Sequence, residues 1–308
     1  MISDPPLVTV IAICYNHEPY VKECLESIHS QTYPNIQLII MDDSSTDDSV
    51  EVILKWKNTN DPNCLFIAHK TNKGLCKTIN EALEIANGKY VSIISTDDLW
   101  LDNFIEQYVG IFEAGSEKIG IVYGDSYFID DSGNMISGRK YVKECKHESN
   151  VYKELLLGNF IMANAVLIRR SCFEKVGVYD ETLYFEDYDM WLRIARIFKF
   201  AYCPITLAKY RKLNTSMSSS NQEKINISLS LIYLKQLQFS NDYLHIINNK
   251  LSIYSDILYK INHPKAHKYL WLRYKQRKWI RDLLVFVFCI LGRKYCEFEA
   301  FLRYFPVR

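Results

Sequence analysis

Residues 72–98 read NKGLCKTINEALEIANGKYVSIISTDD, and two periods meet inside them. Gly74 to Ala86 carries the spacing of a helix, while Tyr90 to Ser95, YVSIIS, is a short apolar run with the texture of a strand. The strand then ends on two adjacent carboxylates, Asp97 and Asp98. Side by side these repel by roughly 1 kcal/mol in water and by more where water is excluded, so a positive partner is expected near them.

Working outward, the same alternation repeats. Leu7 to Tyr15, LVTVIAICY, is a β-branched run of the kind that is covered on both faces in a parallel sheet. Asn16 to Ser30 switches to helical spacing, with Pro19 suited to a first turn and Tyr20, Val21, Cys24, Leu25 and Ile28 on one stripe. IQLIIM (36–41) leads through Asp42-Asp43 into a helix from about Thr46 to Lys57, and CLFIAH (64–69) leads into the helix at Gly74. A further helix with Leu101, Phe104, Ile105, Tyr108 and Phe112 on one face follows Asp98. Strands and helices in alternation predict an α/β fold, a mostly parallel, doubly wound sheet flanked by helices, in which ligands collect beyond the carboxyl ends of the strands. That geometry would gather Tyr15-Asn16, Asp42-Asp43, His69 to Gly74 and Asp97-Asp98 on one edge.

After Gly120 the pattern becomes IVYGDSYFID, a turn at Asp131-Ser132-Gly133-Asn134, and MISGRKYV, read as strands joined by a hairpin-like turn. A helix near 151–157, a strand AVLIRR (165–170) and a helix near 188–198 complete a domain placed at residues 1–220. From Asn221 strand signals stop, and Ile225, Leu229, Ile232 and later Leu244, Ile247, Leu251 step at helical spacing. Residues 221–308 are therefore expected to form a helical region.

The chain has 308 residues, 48% hydrophobic and 24% charged, enough for a large core. Its nine cysteines are odd in number and show no metal-ligand spacing, which favours reduced, buried thiols. MISDPPLVTV lacks the basic and apolar regions of a secretory signal, so a cytoplasmic protein is expected. Charge is uneven: residues 261–308 hold eleven Lys or Arg against three acids, a net +8, and the overall +1 leaves −7 for the rest. A mildly acidic body carries a basic tail.

Three acidic groups need explaining: Asp42-Asp43, Asp97-Asp98 and the Glu186-Asp187 of FEDYD. Any single pair can be a helix cap, and that is the preferred reading for Asp47-Asp48. Two pairs at successive strand ends, plus a third, are harder to dismiss. The ordered set VTVIAICYN, SIHSQTYPNIQLIIMDDSSTDDS, NKGLCKTINEALEIANGKYVSIISTDD and FEDYDMWLRI, over roughly residues 7–215, resembles an inverting family 2 glycosyltransferase of the GT-A fold, of the kind that builds bacterial surface polysaccharides.

The resemblance implies a donor, a nucleotide-diphosphate sugar, lying along the strand-end crevice. It implies that Tyr15, Asn16, Asp42, Asp43, Gly74, Lys77, Asp97 and Arg211 contact the nucleotide, with Asp43 reading uracil. Asp98 is matched to the ligand of a Mg²⁺ or Mn²⁺ ion, with Asp97 on the ribose or sharing the metal. Asp187 is implied as general base and Glu186 as a sugar contact, and one base implies single displacement with inversion. Tyr184, Phe185, Tyr188 and Trp191 suit a sugar platform, although core packing is an equal reading for Trp191. Where relatives carry a histidine after the last strand, this chain has Leu213, which leaves Arg211 or Lys212 for the phosphates, or a flexible Ser-rich loop to close over the donor.

His267 to Arg281 interleaves basic and aromatic residues, and Leu283 to Leu291 has only nine apolar residues, too few to span a bilayer. The tail is therefore either an element lying on an anionic membrane surface or an ordinary helical bundle. A surface-bound tail would suit a lipid-linked saccharide acceptor and a place on the inner face of the cell membrane. No nucleic-acid motif accompanies the basic residues. Two other classes are weighed. A nucleotidyltransferase is disfavoured because Tyr15-Asn16-His17-Glu18 has no glycine, and a non-catalytic scaffold because the acidic set is complete.

Overall fold

The structure is a computed structural model that describes residues 4–137, 144, 148–213, 221–239, 242–261, 263, 264 and 266–304. The chain divides into two compact units, Met1–Asn214 and Thr215–Arg308, six residues before the boundary expected from sequence.

In the first unit β1 (Val8–Cys14), β2 (Ile36–Asp42), β3 (Leu65–Ala68) and β4 (Tyr90–Ser95) alternate with α1 (Glu18–His29), α2 (Ser49–Asn60) and α3 (Leu75–Glu84). β1 pairs in parallel with β2 on one side and β4 on the other, and β2 pairs in parallel with β3. Every residue of β1 is buried, which is why its sequence is a continuous apolar run and not an alternation. β3 forms the edge, with Leu65 and Ile67 exposed. The register sets Cys14 opposite Asp42 and Ile13 opposite Ser95, so these three strands end together. Gly88, before β4, is required by close approach: a side chain there would strike the backbone of Thr9 and Tyr90.

The sheet continues on the other side of β4 through β9 (Val166–Arg169), β6 (Ile119–Tyr123) and β10 (Lys199–Tyr202), in the order β10-β6-β9-β4-β1-β2-β3. β9 runs antiparallel to both β4 and β6, the one departure from a parallel sheet. A second sheet of four strands was not foreseen. It is built from β5 (Leu99–Trp100), β11 (Ala208–Arg211), β7 (Ser126–Ile129) and β8 (Met135–Ser137). β7 and β8 are the expected hairpin; the remainder of that run, residues 138–142, lies outside the described residues. β5 has two residues, too short for a pattern, and it begins directly after Asp98. α4 (Phe104–Ala114), α5 (Tyr152–Leu157), α6 (Ser171–Val176) and α7 (Asp187–Ala195) complete the unit. Among the described cysteines Cys14, Cys24, Cys64, Cys76, Cys172 and Cys203 are buried, and all are free thiols.

The second unit contains α8 (Gln222–Gln236), α9 (Leu244–Lys260), α10 (Ala266–Arg277), α11 (Ile280–Ile290) and α12 (Tyr295–Tyr304). Leu258, Leu270, Val285 and Phe298 are the centre of its core. Two basic residues of the tail are interior: Arg273 pairs with Asp256 at 2.6 Å and with buried Asp282 at 3.1 Å, and Arg277 meets Asp282 at 3.0 Å. No helix among the described residues is long and apolar enough to cross a membrane.

Candidate active site

Because β1, β2 and β4 end in register, the residues that follow them share one edge. Asn16 and Ser44 both take a left-handed backbone there, at φ 57° and 67°, a conformation that non-glycine residues adopt only when neighbours hold it. The Asn16 side-chain oxygen accepts from the Thr46 N–H at 2.8 Å, which fastens the first strand end to the second. Tyr15, beside it, is 45% exposed. Asp47 accepts from the N–H groups of Glu18 and Ser49, at the starts of α1 and α2, so its role is the capping expected of it.

Asp42 is fully buried and its carboxylate accepts from the backbone N–H and the hydroxyl of Ser45, so it shapes its own turn. Asp43 is also buried. Its Oδ1 accepts from Lys73 N–H at 2.8 Å and lies 2.9 Å from His69 Nδ1, and its Oδ2 accepts from Gly74 N–H at 2.8 Å. A carboxylate has about four lone-pair positions, and three are taken here. His69 is itself held by Glu81 at 2.9 Å. Gly74 has φ 87°, the left-handed region that glycine enters without strain, and this turns its N–H toward Asp43. Lys77, in the first turn of α3, is exposed and makes no ion pair with the described residues.

The pair that follows β4 is split by burial. Asp98 is 3% exposed, and its Oδ1 accepts from the Arg211 N–H at 2.8 Å. Burial, then the charge of Asp97, pushes the Asp98 carboxyl well above the usual carboxylate range, against the pull of Arg211 and Asn164. Asp97 is the less buried of the two, its side chain 13% exposed. It accepts no hydrogen bond from the described residues, and its Oδ2 lies 3.9 Å from His17 Nε2, whose other ring nitrogen is 2.9 Å from the Thr96 hydroxyl. The resemblance matched Asp98 to the metal and Asp97 to the ribose or a share of the metal; of the two, Asp97 is the more exposed. His17 was passed over, because only the parallel pairing of β1 with β4 brings it to Asp97.

Arg211 is held by several partners within the first unit. It is 1% exposed, and its guanidinium donates to the carbonyls of Asp97 (2.8 Å), Asp130 (3.0 Å) and Asp131 (3.1 Å) and pairs with Glu23 at 2.9 Å. One face lies over the ring of Tyr20. With those donors committed it braces the turn that carries Asp97. Lys212 lies over Phe128 at 4.2 Å, and the Ser-rich stretch 214–220 lies outside the described residues.

The third acidic group begins α7. Asp187 Oδ2 accepts from the Asn159 side-chain amide at 2.8 Å and its Oδ1 from the Tyr188 N–H at 2.6 Å. Burial raises the Asp187 carboxyl above its ordinary value while the Asn159 bond opposes the rise. Glu186 is pushed up to about 8, by burial first and by the Asp187 charge second. Two donors therefore favour an ionised Asp187, while burial favours the neutral form of Glu186. Tyr184 and Phe185 are half-buried. Tyr188 and Trp191 are not part of a platform: both are buried, with the Tyr188 hydroxyl on the Leu155 carbonyl. The segment is tied to α3 by the bond from the Cys76 thiol to the Leu183 carbonyl and by Asn80 donating to the Tyr179 carbonyl at 2.9 Å.

The family model for glycosyl transferase family 2 matches residues 9–177. The chain is a family 2 glycosyltransferase. An uncharacterized glycosyltransferase of Methanocaldococcus jannaschii, MJ1057, is 30% identical over 266 residues, 83% of this transferase and 88% of that protein. WfaP of Escherichia coli, a UDP-Glc:α-D-GlcNAc-diphosphoundecaprenol β-1,3-glucosyltransferase, is 33% identical over 189 residues, 61% of this chain and 70% of WfaP. Among solved structures, TarS 1–349 of S. aureus in complex with UDP-GlcNAc superposes with a TM-score of 0.66 at 16% identity, over 86% of this chain and 79% of that one. The mannosyltransferase PcManGT of Pyrobaculum calidifontis, in complex with GDP-Man and Mn²⁺, gives 0.60 at 16% identity, over 99% and 88%. At these identities the two structures show that the transferase has the GT-A fold, and nothing about its ligands.

Proposed function

We propose that this glycosyltransferase is inverting and metal-dependent, and moves a sugar from a UDP-sugar to a hydroxyl of a lipid-linked saccharide during bacterial surface polysaccharide assembly. The observation that carries the reading is the unequal Glu186-Asp187 pair. A proton held on Glu186 leaves Asp187 as the carboxylate free to accept one, and Asn159 fixes its orientation. In the transfer, Asp187 takes the proton of the acceptor hydroxyl as that oxygen attacks the anomeric carbon, and the bond from that carbon to the diphosphate breaks. A single base without a second nucleophilic carboxylate gives one displacement and inversion.

No group of three or more His, Cys, Asp or Glu suited to a metal stands among the described residues, so a closed protein cage is not the form the site takes. The donor set instead fits a Mg²⁺ or Mn²⁺ held by one carboxylate, with its other ligands from water and phosphate. Asp97, unbonded and at the strand edge, is that carboxylate. A bound ion would offset the charge that develops on the departing diphosphate. Asp43, with one lone pair unused, is read as the acceptor for the imide N–H of uracil, and it holds Gly74 and the loop before it in place.

A UDP-sugar donor and a lipid-diphosphate acceptor draw support from the activity of WfaP, and a divalent ion from the Mn²⁺ in the PcManGT complex. The setting for such a reaction is the cytoplasmic face of the cell membrane, where nucleotide sugars meet lipid-linked acceptors. The test is a panel of UDP- and GDP-sugars assayed for nucleotide release with Mg²⁺ or Mn²⁺ and a lipid-diphosphate sugar acceptor. Metal-dependent release with a UDP-sugar is the expected result. Binding of nucleotide sugars without turnover of any of them would overturn the reading and leave a sugar-nucleotide-binding scaffold.

A further inference from the structure

Among the described residues of the second unit, one face of α11 is packed against the core. Leu284, Phe286, Phe288 and Cys289 pack against the core that contains Val285. The other face runs through Ile280, Leu283, Val287 and Ile290-Leu291, spaced by three or four residues so that they align along the helix. Ile280, Ile290 and Leu291 are 62%, 54% and 67% exposed. Exposed cations stand at both ends of this stripe, Lys278 and Arg281 at one and Arg293 and Lys294 at the other. Trp279, 54% exposed, sits beside the first pair with its ring against the Arg277 guanidinium at 3.7 Å. Glu297 answers part of the charge of Arg293 at 3.5 Å.

An apolar stripe bounded by cations needs a partner that is apolar inside and negative at its surface. We propose that this face of α11 seats on an anionic lipid bilayer, parallel to its plane, with the stripe below the headgroups and the four cations on lipid phosphates. The helix has 11 residues, about 16 Å, so it lies on the membrane and does not cross it. Arg273 and Arg277 take no part, because Asp256 and Asp282 already hold them. The attraction comes from four residues and not from the whole basic tail. A second copy of the chain is a poorer occupant, since pairing the stripe with itself would bring its cationic ends together.

The test is flotation of the full-length chain with vesicles of phosphatidylcholine alone and of phosphatidylcholine with phosphatidylglycerol in equal parts. Donor and acceptor are left out, so failure here is separate from failure of the transfer reaction. Binding to the anionic vesicles and not to the neutral ones is expected. Lys278→Gln combined with Arg281→Gln weakens the partition about 25-fold, roughly fivefold per charge. Ile290→Glu with Leu291→Glu abolishes it, and all four residues are exposed, so circular dichroism and melting should match the parent. Lys22→Gln with Lys55→Gln, on the first unit, leaves it unchanged. Equal binding to both vesicles, no binding, or indifference to the α11 variants overturns the proposal. A concentration-dependent dimer that Ile290→Glu dissolves would overturn it in favour of a second copy.

Discussion

Replacing Glu186 by Gln removes a proton that the folded protein holds and the unfolded chain does not. The ordinary glutamate value is 4.5 and in the fold it is about 8, raised by burial and by Asp187. The folded state therefore binds the proton more tightly. Its contribution to stability is complete below about pH 4.5 and is lost as pH rises through about 8. At about 1.4 kcal/mol per pH unit across that interval the full loss approaches about 5 kcal/mol. Solvent reaching a half-buried pair screens part of this, leaving ~2–3 kcal/mol to be observed. Urea midpoints of the parent should accordingly fall between pH ~5 and pH ~9, and those of Glu186→Gln should fall much less, since an amide has no proton to lose. Asp187 still titrates in the variant, so some slope at the acid end remains. If parent and variant show the same slope across the interval, Glu186 does not carry the proton, and the assignment of Asp187 as base loses its physical support.

Three further outcomes follow from the geometry. Asp187→Asn should lower transfer by about 10²–10⁴-fold while donor affinity, read by calorimetry, stays near the parent value; loss of binding would remove Asp187 from the base role. Asp97→Asn should abolish the Mn²⁺ dependence of donor binding, whereas Asp98→Asn, which keeps an oxygen for the Arg211 N–H, should retain it; the opposite pattern in a metal titration would return the ion to Asp98. Arg211→Met leaves the Asp97, Asp130 and Asp131 carbonyls without their donor and should cost about 3–5 kcal/mol in denaturant unfolding. A midpoint within experimental error of the parent would show that water replaces the guanidinium.

The sheet was legible because its strands are buried on both faces, and burial on both faces leaves a continuous apolar signature, as in β1. The helices between them carry a period of their own. The second sheet was not legible: β5 offers two residues, and β11 pairs with strands some eighty and more than a hundred positions earlier. The acidic residues that gather at the strand ends were readable from their order along the chain, but their burial and partners were not. Asp97 and Asp98 are identical side chains, and what separates them is an N–H from Arg211, 113 positions away. The same distance hides the commitment of the guanidinium, which looked available for phosphate. Buried Tyr188 and Trp191 show the matching limit for aromatics, since sequence spacing places a ring on a helix without saying which side of the helix the core occupies.

Arg211 also bears on how short the enzyme can be made. The segment matched by the family model ends at residue 177, before Glu186-Asp187 and before the last strand of the second sheet. A fragment cut there would keep every strand of the nucleotide edge and still lack the clasp on the Asp97 carbonyl. The turn bearing the Asp97 carboxylate would then be tethered at its strand end alone. The smallest piece able to keep the Asp97 turn in place must extend through residue 211, so the closing strand belongs to the strand-end edge as much as the first four strands do.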